Sequence, residues 1–323
     1  MQLIAIALGG CVALFWGLAD SFATLSARRL TTFQTTLISQ VTGLHVLMVL
    51  FVIVRASNLP ITLGLSLENV GVGILTGAFA FVGYLSLYQA LEAGPIAITS
   101  PLSSTSAVVT LALSMLILHE RVSFPEGIAL SAAIVGVMLV STRDQDILAL
   151  LQKRSSEFSV KKGICWAYVA MMSLGCMDFG VGARTPSAGW FAPVYWTRTF
   201  SVLFLYLTAF YPARRRKQIS VGSRTITTSM RKLSTDRSAS SPHQRQGFLL
   251  AIIAGTLESA AISAFGLATQ ITQPGVIATI ASYYALVAIL FGVFVFRERL
   301  VANQLFGIGL LMCALGGLAY LHS

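Results

Sequence analysis

ILHERVSFPEGIALSAAIVGVMLVS, residues 117–141, and VFRERLVANQLFGIGLLMCALGGLA, residues 295–319, say nearly the same thing about 180 residues apart. In each, an apolar run closes on a Glu-Arg pair: Glu120-Arg121 in the first and Glu298-Arg299 in the second. In each, a small-residue helix pattern follows, with Gly127 and Gly136 in one and Gly307 and Gly316 in the other. A second echo stands earlier in each half, as Gly17-x-x-Asp20 and Gly175-x-x-Asp178 inside hydrophobic sequence. We read the chain as one unit written twice, with halves over 1–142 and 163–323 and a hydrophilic linker over 143–162.

Composition names the solvent. Of 323 residues 55% are hydrophobic and 11% charged, with a mean hydropathy of +0.78. Soluble domains carry about 25% charged residues. Residues 69–91, 93–119, 127–142 and 300–323 hold no Asp, Glu, Lys or Arg. Most of these runs reach the roughly 20 residues that span a bilayer as helix. They are continuously apolar, which argues against the alternation of a membrane barrel. The reading is an all-α membrane protein of ten transmembrane helices. They are placed near 3–25, 33–54, 69–91, 95–118, 125–142, 163–183, 190–211, 247–270, 275–296 and 301–321. Thr272-Gln273-Pro274-Gly275 divides a charge-free stretch too long for one span, and Gly94-Pro95 does the same in the first half. Five helices per unit make the second copy enter the membrane upside down, so the repeats are inverted.

Residues 212–246 form a basic, Ser/Thr-rich loop that starts at Arg214-Arg215-Arg216-Lys217 and lacks apolar periodicity, so disorder is expected there. The net charge of +10 sits in loops and does not point to nucleic acid. Loops after odd-numbered helices hold 18 Lys and Arg, and those after even-numbered helices hold 3. The positive-inside rule then places both termini outside the cell. The four cysteines all lie in apolar runs without a C-x-x-C pair, and His45 and His119 stand without ligand partners nearby. No metal, cofactor or disulfide framework is expected.

Charge inside a span costs at least about 2.5–3.5 kcal/mol, so it faces a cavity or a partner. Asp20 and Asp178 are either symmetric pathway carboxylates or groups reaching toward Arg28 and Arg184 at helix ends. Glu258 lies mid-span, where the first half has Ala80. It is either a proton-exchanging carboxylate or a structural partner for Arg198. Arg198 lies mid-span where the first half has Gln40. Its guanidinium could hold an anionic group, or pair with Asp178 or Glu258. Trp16, Tyr84, Tyr88, Tyr283 and Tyr284 are pocket candidates, with core packing as the alternative. Gly73-x-x-x-Gly77 is a close-packing pattern.

These residues resemble the EamA-type branch of the drug/metabolite transporter superfamily. The likeness rests on Trp16-Gly17, Pro101, Arg198 after Pro193, and the two Glu-Arg pairs with their trailing glycines. It implies two inverted five-helix repeats, a central cavity lined by helices other than the fifth and tenth, and export or exchange of small metabolites, often amino acids. Gln40 departs from it, since the family often has arginine there. Its members commonly keep both termini in the cytoplasm, against the charge count.

The function expected is a secondary transporter of a small metabolite, such as an amino acid or related amphipath, working by alternating access in the cell membrane. Small-molecule substrate and membrane lipids are the expected partners, and nucleic acid is not. No Walker motif is present to supply an ATP motor. The alternatives are a membrane scaffold or sensor using the 212–246 loop, or an intramembrane enzyme built on paired aspartates. No catalytic motif supports the enzyme.

Overall fold

The computed structural model describes residues 2–58, 61–93, 103–119, 123–141, 157–215, 242–287, 290–291 and 302–321. Among them the secondary structure is helical, without strands. The helices are α1 (Gln2–Ala27), α2 (Thr32–Ala56), α3 (Leu67–Ala93), α4 (Ser106–Ile117) and α5 (Phe124–Ser141), then α6 (Glu157–Ala188), α7 (Phe191–Arg215), α8 (Pro242–Thr269), α9 (Pro274–Ala281) and α10 (Ala302–Leu321). Among the described residues five stretches, Leu3–Ala27, Thr32–Ala56, Leu67–Ala93, Cys165–Ala188 and Pro242–Thr269, are long and apolar enough to cross a membrane. Gly94-Pro95, Pro101, both Glu-Arg pairs and most of the 212–246 loop lie outside the described residues.

Local chemistry sets the helix ends. Thr31 caps α2: its hydroxyl accepts from the Gln34 amide, and the Gln34 side chain accepts from the Thr31 amide. Pro274 stands in the first turn of α9, where its missing N–H costs nothing. Gly189 ends α6 at φ +78°, with its amide donating to the Thr185 carbonyl. Several ends differ from the sequence reading; α6 runs on to Ala188 and α7 to Arg215. α6 begins at Glu157, inside the expected linker, and α8 begins at Pro242, inside the expected loop. In both, a polar turn carries the helix past its apolar span, because backbone hydrogen bonding continues where hydropathy stops.

α9 also differs from the expected unbroken span. After Ala281 the chain passes through a tight turn at 282–283 and resumes as helix over 284–287. The amides of Tyr283, Ala285 and Leu286 donate three residues back instead of four. In the first half, Thr105 makes the same kind of turn ahead of α4, and its carbonyl accepts from the Val108 amide. A tightened stretch inside a helix commonly marks a hinge.

The packing is symmetric in its connectivity. α1 lies against α8 and α9, and α6 lies against α3 and α4. α2 meets α8 as α7 meets α3, while α2–α7, α4–α9 and α5–α10 are paired with each other. Advancing every helix number by five carries this contact set onto itself. The glycines repeat the relation. A Cβ on Gly17 would stand 2.5 Å from Val287 and 2.7 Å from the Tyr284 carbonyl. A Cβ on Gly175 would stand 2.5 Å from Val109 and 2.7 Å from the Ser106 carbonyl. The glycine of each Gly-x-x-Asp therefore docks on the helix that carries the tightened turn. Gly73 and Gly77 do the same for α3 on α7, against Trp196 and Phe200.

Polarity is turned inward. Leu3, Leu67, Leu116 and Phe124 are more than two-thirds exposed, whereas Gln40, Ser39, Thr35, Thr110 and Ser201 are fully buried. This is the distribution of a protein whose exterior meets hydrocarbon. Many buried hydroxyls are satisfied within their own helix, as in Ser21 to the Gly17 carbonyl and Thr36 to the Thr32 carbonyl.

At the periphery, Arg184 on α6 holds Glu68 at 2.5 Å and donates through Nε to Asn69 at 2.7 Å. Glu68 is 69% exposed. Exposed pairs contribute about 0–1 kcal/mol. Glu68→Ala is therefore expected to shift thermal stability in detergent by no more than that.

Candidate functional site

The centre of the molecule is a polar cluster built by α2, α7 and α8. Arg198 and Glu258 are both buried, and the Arg198 Nη2 to Glu258 Oε1 distance is 2.7 Å. Gln40 joins the two. Its Oε1 accepts from Arg198 Nη1 at 2.6 Å, and its Nε2 donates to both Glu258 oxygens at 3.1 and 3.3 Å. Ser201, one turn along α7, adds a 3.3 Å bond to the same Gln40 oxygen. Tyr84 of α3 lies under the guanidinium, 5.8 Å from Arg198 Cζ to the ring centroid. Of the two alternatives left open for Arg198, the geometry shows pairing with Glu258.

The cluster stands where α2 meets α7. Gln40 lies on α2 and Arg198 on α7, and those helices touch each other. Thr197, next to Arg198, shares a 2.6 Å hydroxyl bond with Thr76 of α3. Room for the guanidinium comes from Gly43, one turn beyond Gln40. A Cβ there would lie 3.2 Å from Arg198 Cζ and 2.5 Å from the Ser259 hydroxyl. Ser201, Gly43 and Ser259 were not singled out from sequence. Their signal is i+3 spacing from Arg198 and Gln40 and adjacency to Glu258.

The other candidates form a flank to this centre. The Trp16 ring packs on Phe265 at 5.9 Å and meets the Tyr284 ring edge-on at 6.3 Å. Its Nε1 has no hydrogen-bond partner among the described residues. Tyr283 and Tyr284 are buried at the tightened turn after α9. Asp178 on α6 is buried, and its Oδ1 is likewise without a partner. Asp20 on α1 is half-buried, one turn beyond Trp16. Arg184 is engaged by Glu68 and Asn69, so the helix-end pairing considered for Asp178 is not made. Tyr88 is buried and lines a cleft with Thr24, Arg28, Leu91 and Glu92 at the ends of α1 and α3. The Thr32 hydroxyl donates to Glu92 beside that cleft. Among the described residues no group of three His, Cys, Asp or Glu could hold a metal ion.

A buried ion pair among inward-facing hydroxyls, inside an apolar helical exterior, defines an integral membrane protein with a polar interior. A sequence model of the EamA-like transporter family matches residues 3–142. An uncharacterized protein of Methanocaldococcus jannaschii is 31% identical over 137 residues, covering 42% of this chain and 96% of that relative. The chain belongs to the EamA-like transporter family. A crystal structure of a protein with 14% identity matches the fold over 98% of this chain and 96% of that one, with a TM-score of 0.65. The membership fits a transporter rather than an enzyme.

Proposed function

We propose that the protein is a secondary transporter that moves a small amphipathic metabolite, an amino acid or related compound, out across the cell membrane by alternating access. Its units are the halves over 1–142 and 163–323, taken as inverted repeats. The observation that carries this reading is the Arg198–Gln40–Glu258 cluster, buried where α2, α7 and α8 meet. Ions placed in a membrane interior are costly and mark substrate or ion paths. The contact set that maps onto itself when helices advance by five supports two units rocking about a shared site. The tightened turns near α4 and α9 supply points at which each unit can bend. Gln40, Arg198, Glu258 and Tyr84 are assigned to the central site, with Trp16, Asp20, Asp178, Tyr88, Tyr283 and Tyr284 around it.

The test begins with metabolite profiles of medium and cytosol with and without overexpression, which identify the exported compound. Flux of that compound is then measured in proteoliposomes. Glu258→Gln and Arg198→Ala are each expected to reduce flux at least about tenfold, the loss that follows when a buried charge loses its partner. Unchanged flux in both variants would remove the central cluster from the pathway. A profile unaltered by overexpression would count against export itself.

A further inference from the structure

We infer that the cleft between the ends of α1 and α3 is a second ligand site, an entrance that receives a small zwitterion on its way to the central cluster. The inference rests on the transport reading and adds a site outside the centre. Contacts among four helices fix where the cleft stands. The Ser26 hydroxyl at the end of α1 donates to the Gly247 carbonyl near the start of α8 at 2.8 Å. It also lies 3.1 Å from the Thr35 hydroxyl in the first turn of α2. The Thr32 hydroxyl at the start of α2 donates to Glu92 at the end of α3. These four helix ends therefore share one face of the molecule, and the cleft opens there. It points inward. Tyr88 lines it, and Tyr84, four residues earlier on the same face of α3, lies 5.8 Å under the Arg198 guanidinium. At about 1.5 Å of rise per residue, Glu92 at the mouth stands about 12 Å along α3 from Tyr84, with Tyr88 halfway. The far end of α8 is packed close instead. A Cβ on Gly182 of α6 would stand 2.5 Å from Pro274 of α9 and 3.4 Å from Thr269 of α8. On the side where α3 begins, the Trp196 indole donates to the Leu63 carbonyl at 2.8 Å, and Ile61 is buried. The cleft is an open approach from water where the opposite face is tight.

The lining selects the ligand. Ala23 and Ala27, one turn apart on α1, leave the room, and Leu91 and Tyr88 supply the facing wall. Arg28 and Glu92, both exposed, bring one charge of each sign to the mouth. The Thr32 hydroxyl holds the Glu92 carboxylate in place. The cavity is about 130 Å³, so the ligand is small. A ligand with a single charge is attracted by one rim residue and repelled by the other. A molecule that carries both an ammonium and an acidic group is attracted by both, with its apolar part on the alanines and the Tyr88 ring. Charges that remain in water hold such a ligand weakly, which suits a place of passage.

The experiment uses the full-length protein in lipid nanodiscs and follows maleimide labelling of Ala27→Cys by peptide mass spectrometry, with the native cysteines as internal references. Ala23→Cys, one turn deeper in the same cleft, replaces it if that variant does not fold. The probes are L-alanine, which carries both charges, and ethylammonium and propionate, which carry one each. The introduced thiol is expected to label from water. An L-alanine titration should slow that labelling at least about threefold, because only the empty protein reacts. Ethylammonium and propionate should leave it unchanged, as should L-alanine at Ser57→Cys, which is exposed away from the cleft. Glu92→Gln and Arg28→Gln should each raise the half-protecting concentration about twofold to fivefold, the range of an exposed charge contact. A thiol in the cleft that does not label, no protection by L-alanine, or equal protection by a singly charged probe overturns the inference. In proteoliposomes, flux of the exported compound that persists with the cleft thiol fully labelled also overturns it, and the transport reading stands. Protection by L-alanine in a protein that exports nothing would keep the cleft site and remove the transport reading.

Discussion

Arg198→Ala is expected to destabilise the protein by about 3–5 kcal/mol, the cost of leaving one member of a buried ion pair without its partner. The reason is local. Among the described residues Glu258 would keep only the Gln40 amide, in a place where its side chain is 3% exposed. The double variant Arg198→Leu/Glu258→Leu should recover most of that loss, because a hydrophobic pair of similar volume needs no desolvation to be undone. Thermal unfolding in detergent across the two single variants and the double variant measures the coupling. Flux separates stability from function: the double variant should be stable and inactive. A double variant as unstable as Arg198→Ala would show that the site depends on the shape of these side chains more than on their charges. Restored flux in it would show that the charges only hold the helices together.

Gly255→Ala is expected to have a comparable effect through sterics alone. A Cβ at this position of α8 would overlap the Ser39 carbonyl oxygen, Cα and carbonyl carbon of α2. These are backbone atoms, so no side chain can rotate away and the two helices must separate. Overpacking of this kind costs about 1–3 kcal/mol and sometimes more. Ser39 adjoins Gln40, so the shift would also pull Gln40 from Arg198 and Glu258, and flux should fall with stability. Gly10→Ala and Gly71→Ala are the controls. Nothing stands within 4 Å of a Cβ at either position. Alanine there should be neutral or stabilising by up to about 1 kcal/mol, since glycine is the poorer helix former. Equal loss at Gly255 and Gly71 would mean that glycine serves helix flexibility here and not close approach.

How much was legible can be followed residue by residue. The Thr272–Gly275 break was readable because Pro274 cannot continue the preceding hydrogen-bond ladder, and α9 begins there. The interruption at 282–283 was not. Ser282 and Tyr283 are compatible with helix, and the tightened turn depends on how the chain packs against Gly17 and its neighbours. Arg198 and Glu258 were found because ions in apolar sequence are expensive wherever they end up. Their pairing was one of several alternatives, since spacing along separate helices carries no information about which faces meet. Gln40 drew notice as the uncharged counterpart of Arg198. That it touches both Arg198 and Glu258 follows from the α2–α7 and α2–α8 contacts and from the room left by Gly43. The polar turns that lengthen α6 and α8 escaped a hydropathy reading because helix continues past the apolar boundary.

Hydropathy settles the solvent and the helical class, and the internal echo puts forward a correspondence of positions such as Gly17 with Gly175. Each of these depends on the order of side chains along one strand of chain and on the cost of placing them in hydrocarbon. The partner chosen by each buried charge is another matter. It depends on helix rotation and on approaches of a few ångströms between segments more than 150 residues apart, as between Gln40 and Arg198. Coulomb energy in a low-dielectric interior changes steeply over such distances. The neutral Arg198–Glu258 pair and the uncompensated Asp178 are therefore properties of the packed molecule and not of its sequence read alone.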